Sequence, residues 1–153
     1  MMLYEELLTE ANKLGIIVKE YNLKTRKGRC CGNRIVINKN LTTQEKCCVL
    51  AEELGHYHLT VGDISNQSNI SNRKQEVLAR RWGYKKNAGI LDLINAFKAG
   101  CKTKYEIAEF LNITEKYLNE AIEYYTSKYG AYYTIDCYNI MFIPNFRIGK
   151  AFF

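Results

Sequence analysis

The chain has 153 residues, 47% of them hydrophobic and 25% charged, with a net charge of +6. That balance fits one compact unit with a core of its own and argues against a disordered or fibrous chain. No run approaches the roughly 18 apolar residues of a membrane-spanning helix. Six cysteines, adjacent as Cys30-Cys31 and Cys47-Cys48 and single as Cys101 and Cys137, lack CxxC spacing and argue against a zinc knuckle.

Met1 to Glu6 have neither a basic start nor an apolar stretch of the export type, so a cytoplasmic location with reduced thiols is expected. Positions 3–14 carry Leu3, Leu7, Leu8, Ala11 and Leu14 at a helical period, and Gly15 is the stop signal. Positions 16–21 alternate as a strand. A basic, turn-like stretch from Lys24 to Gly28 follows, then Arg29-Cys30-Cys31-Gly32, then a second strand at 34–38 that pairs with the first. Thr42-Thr43-Gln44-Glu45 has the form of a capping box and opens a long helix to about Leu59. In that helix Cys47 and Cys48 read as core or helix-surface residues. The polar segment 64–71 reads as a loop, with Ser71 or Asn72 capping a second long helix over about 73–86. Beyond a soft boundary near 87–89, helices are expected at 90–99, 104–111 and 114–129. Positions 132–142 read as a strand ended by Pro144, and the tail is aromatic and basic.

The long helix carries Leu50-Ala51-Glu52-Glu53-Leu54-Gly55-His56. Glu52 and His56 are i and i+4, so they share one face one turn apart. Glu53 lies beside them without being a ligand itself. This is the arrangement of the zincin helix, two ligands with a glutamate between them as general base. A third ligand is needed, and Glu76 on the next helix is the best candidate, because an antiparallel helix pair returns it to the first helix. The site is then Glu52, His56 and Glu76 around a metal, with Glu53 as base. His58 points about 200° away from His56 on an intact helix and cannot join the same ion. Asp63 reads as a turn or cap residue.

Ala51-Glu52-Glu53-Leu54-Gly55-His56, followed by Gln75-Glu76-Val77-Leu78-Ala79-Arg80-Arg81-Trp82, resembles the ImmA/IrrE family of metallo-endopeptidases. The resemblance implies a zincin in which His56 takes the second histidine position, Glu53 the general-base position and Glu76 the third-ligand position. It also implies a protein substrate, a transcriptional repressor or regulator of a phage or mobile element. The chain departs from the family at the first histidine, where it has Glu52. Two carboxylates and one imidazole make a harder site, so zinc is expected but manganese or another hard divalent ion also suits it.

In the second half, Tyr105 to Leu118 has a helix-turn-helix rhythm. The positions that would read DNA carry Glu115, Lys116, Asn119 and Glu120, and glutamates facing phosphates oppose binding. A structural or protein-docking role is favoured over DNA. The tyrosines from 124 to 133 read as core and interface, and Trp82 as core.

The expected fold is α+β: a zincin-like helical core with a small β-sheet over 1–88, and a helical, helix-turn-helix-like C-terminal lobe over 89–153 packed on it. The expected function is a zinc-dependent metallo-endopeptidase. The alternative is a non-catalytic metal-binding or helix-turn-helix-like regulator that binds a protein partner or DNA.

Overall fold

A computed structural model describes residues 3–62 and 72–151. The chain is α+β, in the order α1 (Tyr4–Lys13), β1 (Ile17–Tyr21), β2 (Gly28–Cys31), β3 (Arg34–Asn38), α2 (Thr43–Gly62), α3 (Asn72–Asn87), α4 (Ile90–Lys98), α5 (Lys104–Leu111), α6 (Glu115–Tyr129), β4 (Tyr132–Ile135), β5 (Tyr138–Met141) and β6 (Arg147–Lys150). The expected loop at 64–71 and the role of Asp63 lie outside the described residues.

The first sheet has the order β1-β3-β2. β1 and β3 pair, as the two strands read from sequence were expected to do; the pairing is parallel, and β2 pairs antiparallel with β3. The sequence reading passed over β2. Its Gly28-Arg29-Cys30-Cys31 lacks the branched and aromatic residues that mark a strand, and its only described partner is β3. Ile35 and Ile37 of β3 point into a core completed by Leu7 and Ala11 of α1 and by Cys47, Leu50 and Leu54 of α2. Glu20 on β1 ties three elements together by accepting from the Tyr4 hydroxyl at 2.8 Å and the Lys46 ammonium at 2.7 Å.

α2 starts where the capping box places it. The Glu45 amide donates to Thr42 Oγ1 and the Thr42 amide donates to Glu45 Oε1, both at 3.1 Å, so two otherwise orphaned donors are satisfied. α3 returns antiparallel to α2, and small residues set how close it comes. A Cβ on Gly55 would stand 2.5 Å from the Ala79 carbonyl oxygen, and one on Gly83 would stand 3.4 Å from the Ala51 carbonyl carbon. At the far end the Asn87 amide donates to the Cys47 carbonyl at 3.0 Å. The pairs 47·87, 51·83 and 55·79 step by four residues on both helices, one turn each, so the ridges of one helix lie against the backbone of the other.

A second core joins the end of α3 to α4, α5, α6 and β5. Cys48, Tyr84 and Ala88 enter it beside Leu93, Leu111, Leu118, Tyr125 and Ile140. α5 and α6 are capped by Thr103 and Thr114, and Asn112 between them adopts a left-handed conformation at φ 57°. The segment 132–142 is not one strand. Asp136, at φ 53°, turns it into a β4–β5 hairpin, and the tail adds β6 to give a second antiparallel sheet in the order β4-β5-β6. The strand-favouring Tyr, Thr, Ile and Phe on both sides hid the turn, because Asp136 is followed by Cys137 and not by the glycine of a strong hairpin signal.

Gly55→Ala tests the seam between α2 and α3. Overpacking against a backbone oxygen costs about 1–3 kcal/mol, while better helix propensity returns about 1 kcal/mol. The expected outcome in thermal unfolding is a lower midpoint for Gly55→Ala and little change for Gly149→Ala, where an added Cβ meets nothing within 4 Å. A Gly55→Ala protein as stable as the parent would show that the helices are not held at contact distance.

Candidate metal centre

α2 and α3 together carry the site. Because Gly55 rests on Ala79, the residue after Gly55 faces the turn before Ala79, and His56 meets Glu76. His56 Nε2 lies 3.3 Å from Glu76 Oε1. Glu52, one turn before His56, joins them, and one ligand atom from each of Glu52, His56 and Glu76 lies within 4.8 Å of the others. Two oxygens and one nitrogen suit zinc or a harder divalent ion. The 3.3 Å separation is close to the edge of a tetrahedron built on metal bonds of about 2.0–2.2 Å. The residues present therefore fit a metal, with room left on the open side, where the Glu76 side chain is 49% exposed.

Glu53 points elsewhere than Glu52 but into the same cleft, a space of about 1040 Å³ whose lining includes all four residues. It is 8% exposed. Gly28 makes room for it, since β2 passes so close to α2 that a Cβ there would meet Val49 Cγ1 at 2.6 Å and Glu53 Cγ at 3.5 Å. Burial raises the Glu53 carboxyl to about 8, with Glu52 and Glu76 adding to the rise and Arg26 opposing it. Burial also raises Glu52 to about 7. Arg80 opposes that shift, while the charge of Glu76 and a hydrogen bond to it increase it. Arg80 Nε stands 3.7 Å from Glu52 Oε1.

His58 takes no part. Its ring stacks on Trp82 with centroids 4.7 Å apart, and Tyr57 meets it edge-on. Burial lowers its pKa. Trp82 is half-buried against the first core. None of the six cysteines is joined in a disulfide. Cys47 is fully buried, and Cys48 is nearly so.

Sequence reasoning missed the far wall of the cleft. Thr114, Lys116, Tyr117 and Glu120 of the α5–α6 unit line it opposite β2. Lys116 and Glu120 are two of the four positions that would read DNA, and they line the same cleft as the glutamates of α2. Glu120 also accepts from the Tyr84 hydroxyl at 3.2 Å. No local signal in α6 could have placed it over a site some sixty residues earlier. Arg80 was passed over as well, although its place four residues after Glu76 puts it on the same face of α3 and is a signal that could have found it.

The peptidase M78 family model, an IrrE N-terminal-like domain, matches residues 11–123. The match runs from α1 into α6 and crosses the composition change near residues 87–89. No curated protein matches the chain significantly. No described helix is long and apolar enough to cross a membrane.

The raised carboxyls have a consequence for stability without metal. Glu52 and Glu53 have folded pKa values of about 7 and about 8 against an ordinary 4.5. The folded state therefore holds more protons than the unfolded state between these limits. Their contribution to stability is fully present below about 4.5 and is lost as pH rises through 7 to 8. With chelator present, the melting temperature is expected to fall between pH 5.5 and pH 8.5, roughly, and less so in Glu53→Gln. An equal fall in both proteins would remove Glu53 from the explanation.

Proposed function

We propose that this chain, which belongs to the peptidase M78 family, is a zinc-dependent metallo-endopeptidase with Glu52, His56 and Glu76 as ligands and Glu53 as general base. The observation that carries the reading is the convergence of the three donor atoms within 4.8 Å in a cleft that also takes a buried glutamate from the same helix. When bound, the metal supplies Lewis-acid chemistry, polarising a scissile carbonyl and acidifying water.

The chain's own residues account for the rest. His56 and Glu52 are held one turn apart by α2, and the seam with α3 brings Glu76 to them, so the donor set is preorganised rather than collected on binding. Glu53 stands beside the ligands with its carboxyl in a low-dielectric wall, where a pKa raised toward neutrality suits a group that takes a proton and gives it back. Occupation of the site by a cation would lower that pKa by opposing the pull of Glu52 and Glu76. The exposed edge of β2 lines the cleft through Gly28, Arg29 and Cys30. An extended peptide can add to such an edge by main-chain hydrogen bonds, with its carbonyl presented toward α2. Opposite it, α6 closes the groove.

By resemblance, the substrate is a transcriptional repressor or regulator of a phage or mobile element, cleaved in the cytoplasm. A protein substrate agrees with a cleft that is open along one strand edge rather than closed over a small molecule.

Elemental analysis and cleavage of the co-encoded repressor test the assignment together. The parent protein is expected to hold one zinc per chain, and His56→Ala and Glu76→Ala to hold almost none. Glu53→Gln is expected to keep the metal while cleavage, followed by mass spectrometry, drops by at least about a hundredfold. Equal metal in the parent and His56→Ala would sink the ligand set. Regulation that survives His56→Ala would favour the alternative, a non-catalytic regulator that binds its partner through α5 and α6.

A further inference from the structure

Glu52 raises a charge problem that the geometry answers. A divalent ion held by two imidazoles and one carboxylate leaves a site of net charge +1. With Glu52 in place of the first imidazole, two carboxylates cancel the ion and leave zero. The metal is then a weaker electrophile, and without metal the chain must keep Glu52, Glu53 and Glu76 together in one partly buried pocket. Arg80 sits on the same face of α3 as Glu76, one turn on. Its guanidinium reaches Glu52, with Nε 3.7 Å from Oε1. Arg80 also lines the cleft itself. Its side chain is 53% exposed while that of Glu52 is only 25% exposed, so the cation covers the solvent side of a carboxylate that faces the other acids.

We propose that Arg80 is the charge-compensating partner of Glu52: it neutralises the carboxylate at the first-ligand position, so that the site keeps the net charge it would have with histidine there. The inference rests on the reading of Glu52, His56 and Glu76 as ligands. Arg80 is a positioning and tuning residue in this scheme and touches neither the ion nor the substrate. It acts twice. In the metal-free protein it relieves the repulsion among the acids. In the loaded protein it withdraws charge from one ligand and so opposes the ion, which keeps the ion electrophilic at some cost in affinity.

These two effects have opposite signs, which separates them from a role in packing alone. The experiment measures melting temperature with chelator and zinc affinity by competition with a chromophoric chelator, both in the same buffer for every variant. Arg80→Leu is expected to melt lower than the parent when metal-free, yet to bind zinc about threefold to tenfold more tightly, since a positive charge near the ion has gone. Arg80→Lys keeps the charge and is expected to stay near the parent in both. Glu52→Gln/Arg80→Leu is expected to recover the lost melting temperature, because the acid that needed a partner is no longer charged. Arg80→Gln serves as a second neutral variant should the leucine protein fold poorly. Zinc bound as well or less well in Arg80→Leu, or a melting loss that Glu52→Gln does not reverse, would overturn the proposal. A parent protein that binds no zinc at all would instead overturn the ligand assignment beneath it.

Discussion

The close contact between α2 and α3 is the constraint on which the rest of the structure depends. Two helices approach to backbone contact only where side chains are missing from the crossing. Gly55 opposite Ala79 and Gly83 opposite Ala51 supply that gap. The contact repeats every turn along both helices, so it sets their register as well as their distance. Register decides the site: slide α3 by one turn and Glu76 leaves His56. The glycine before the histidine therefore serves the backbone of the neighbouring helix, and it governs the candidate site indirectly by fixing where Glu76 falls.

α2 also divides the interior. Cys47 and Cys48 are neighbours in sequence but point about 100° apart on a helix. Cys47 is buried in the core shared with α1 and the first sheet, and Cys48 in the core shared with α4, α5 and α6. One helix thus belongs to both cores and carries Glu52, Glu53 and His56 on the face left between them. The cleft is the seam where the two packed bodies fail to close. β2 forms one lip and α6 the other. Helical segments that resemble a DNA-reading pair become a wall for the cleft because they pack on α2 and α3 through Tyr84, Cys48 and Tyr117.

The electrostatics of the pocket follow from the same packing. Burial raises Glu52 and Glu53, the charge of Glu76 raises both further, and Glu52 adds to the rise of Glu53. Such a cluster costs free energy in the metal-free chain. A site of this kind suits a cation, because crowding partly buried carboxylates together otherwise opposes folding. Arg80 and Arg26 offset part of the repulsion from the rim.

The sequence by itself determined the elements with strong local signals: the capping box at Thr42, the glycine stop at Gly15, the i, i+4 spacing of Glu52 and His56, and the period of each long helix. These depend on interactions within a turn or two of chain, so they are readable without a partner. It also supplied Glu76, because an antiparallel return of α3 is the simplest consequence of two long helices in succession. Only the tertiary structure decided the rest. β2 is a strand because β3 offers its edge, not because Gly28-Arg29-Cys30-Cys31 prefers extension. The stretch 132–142 is a hairpin because β5 finds both β4 and β6 to pair with. Glu53 acquires its raised pKa from a strand that passes over it at Gly28, and α6 reaches the cleft through a core some seventy residues away from the motif. Burial and long-range pairing carry no local signature, and they are what turn a spacing of glutamates and a histidine into a site.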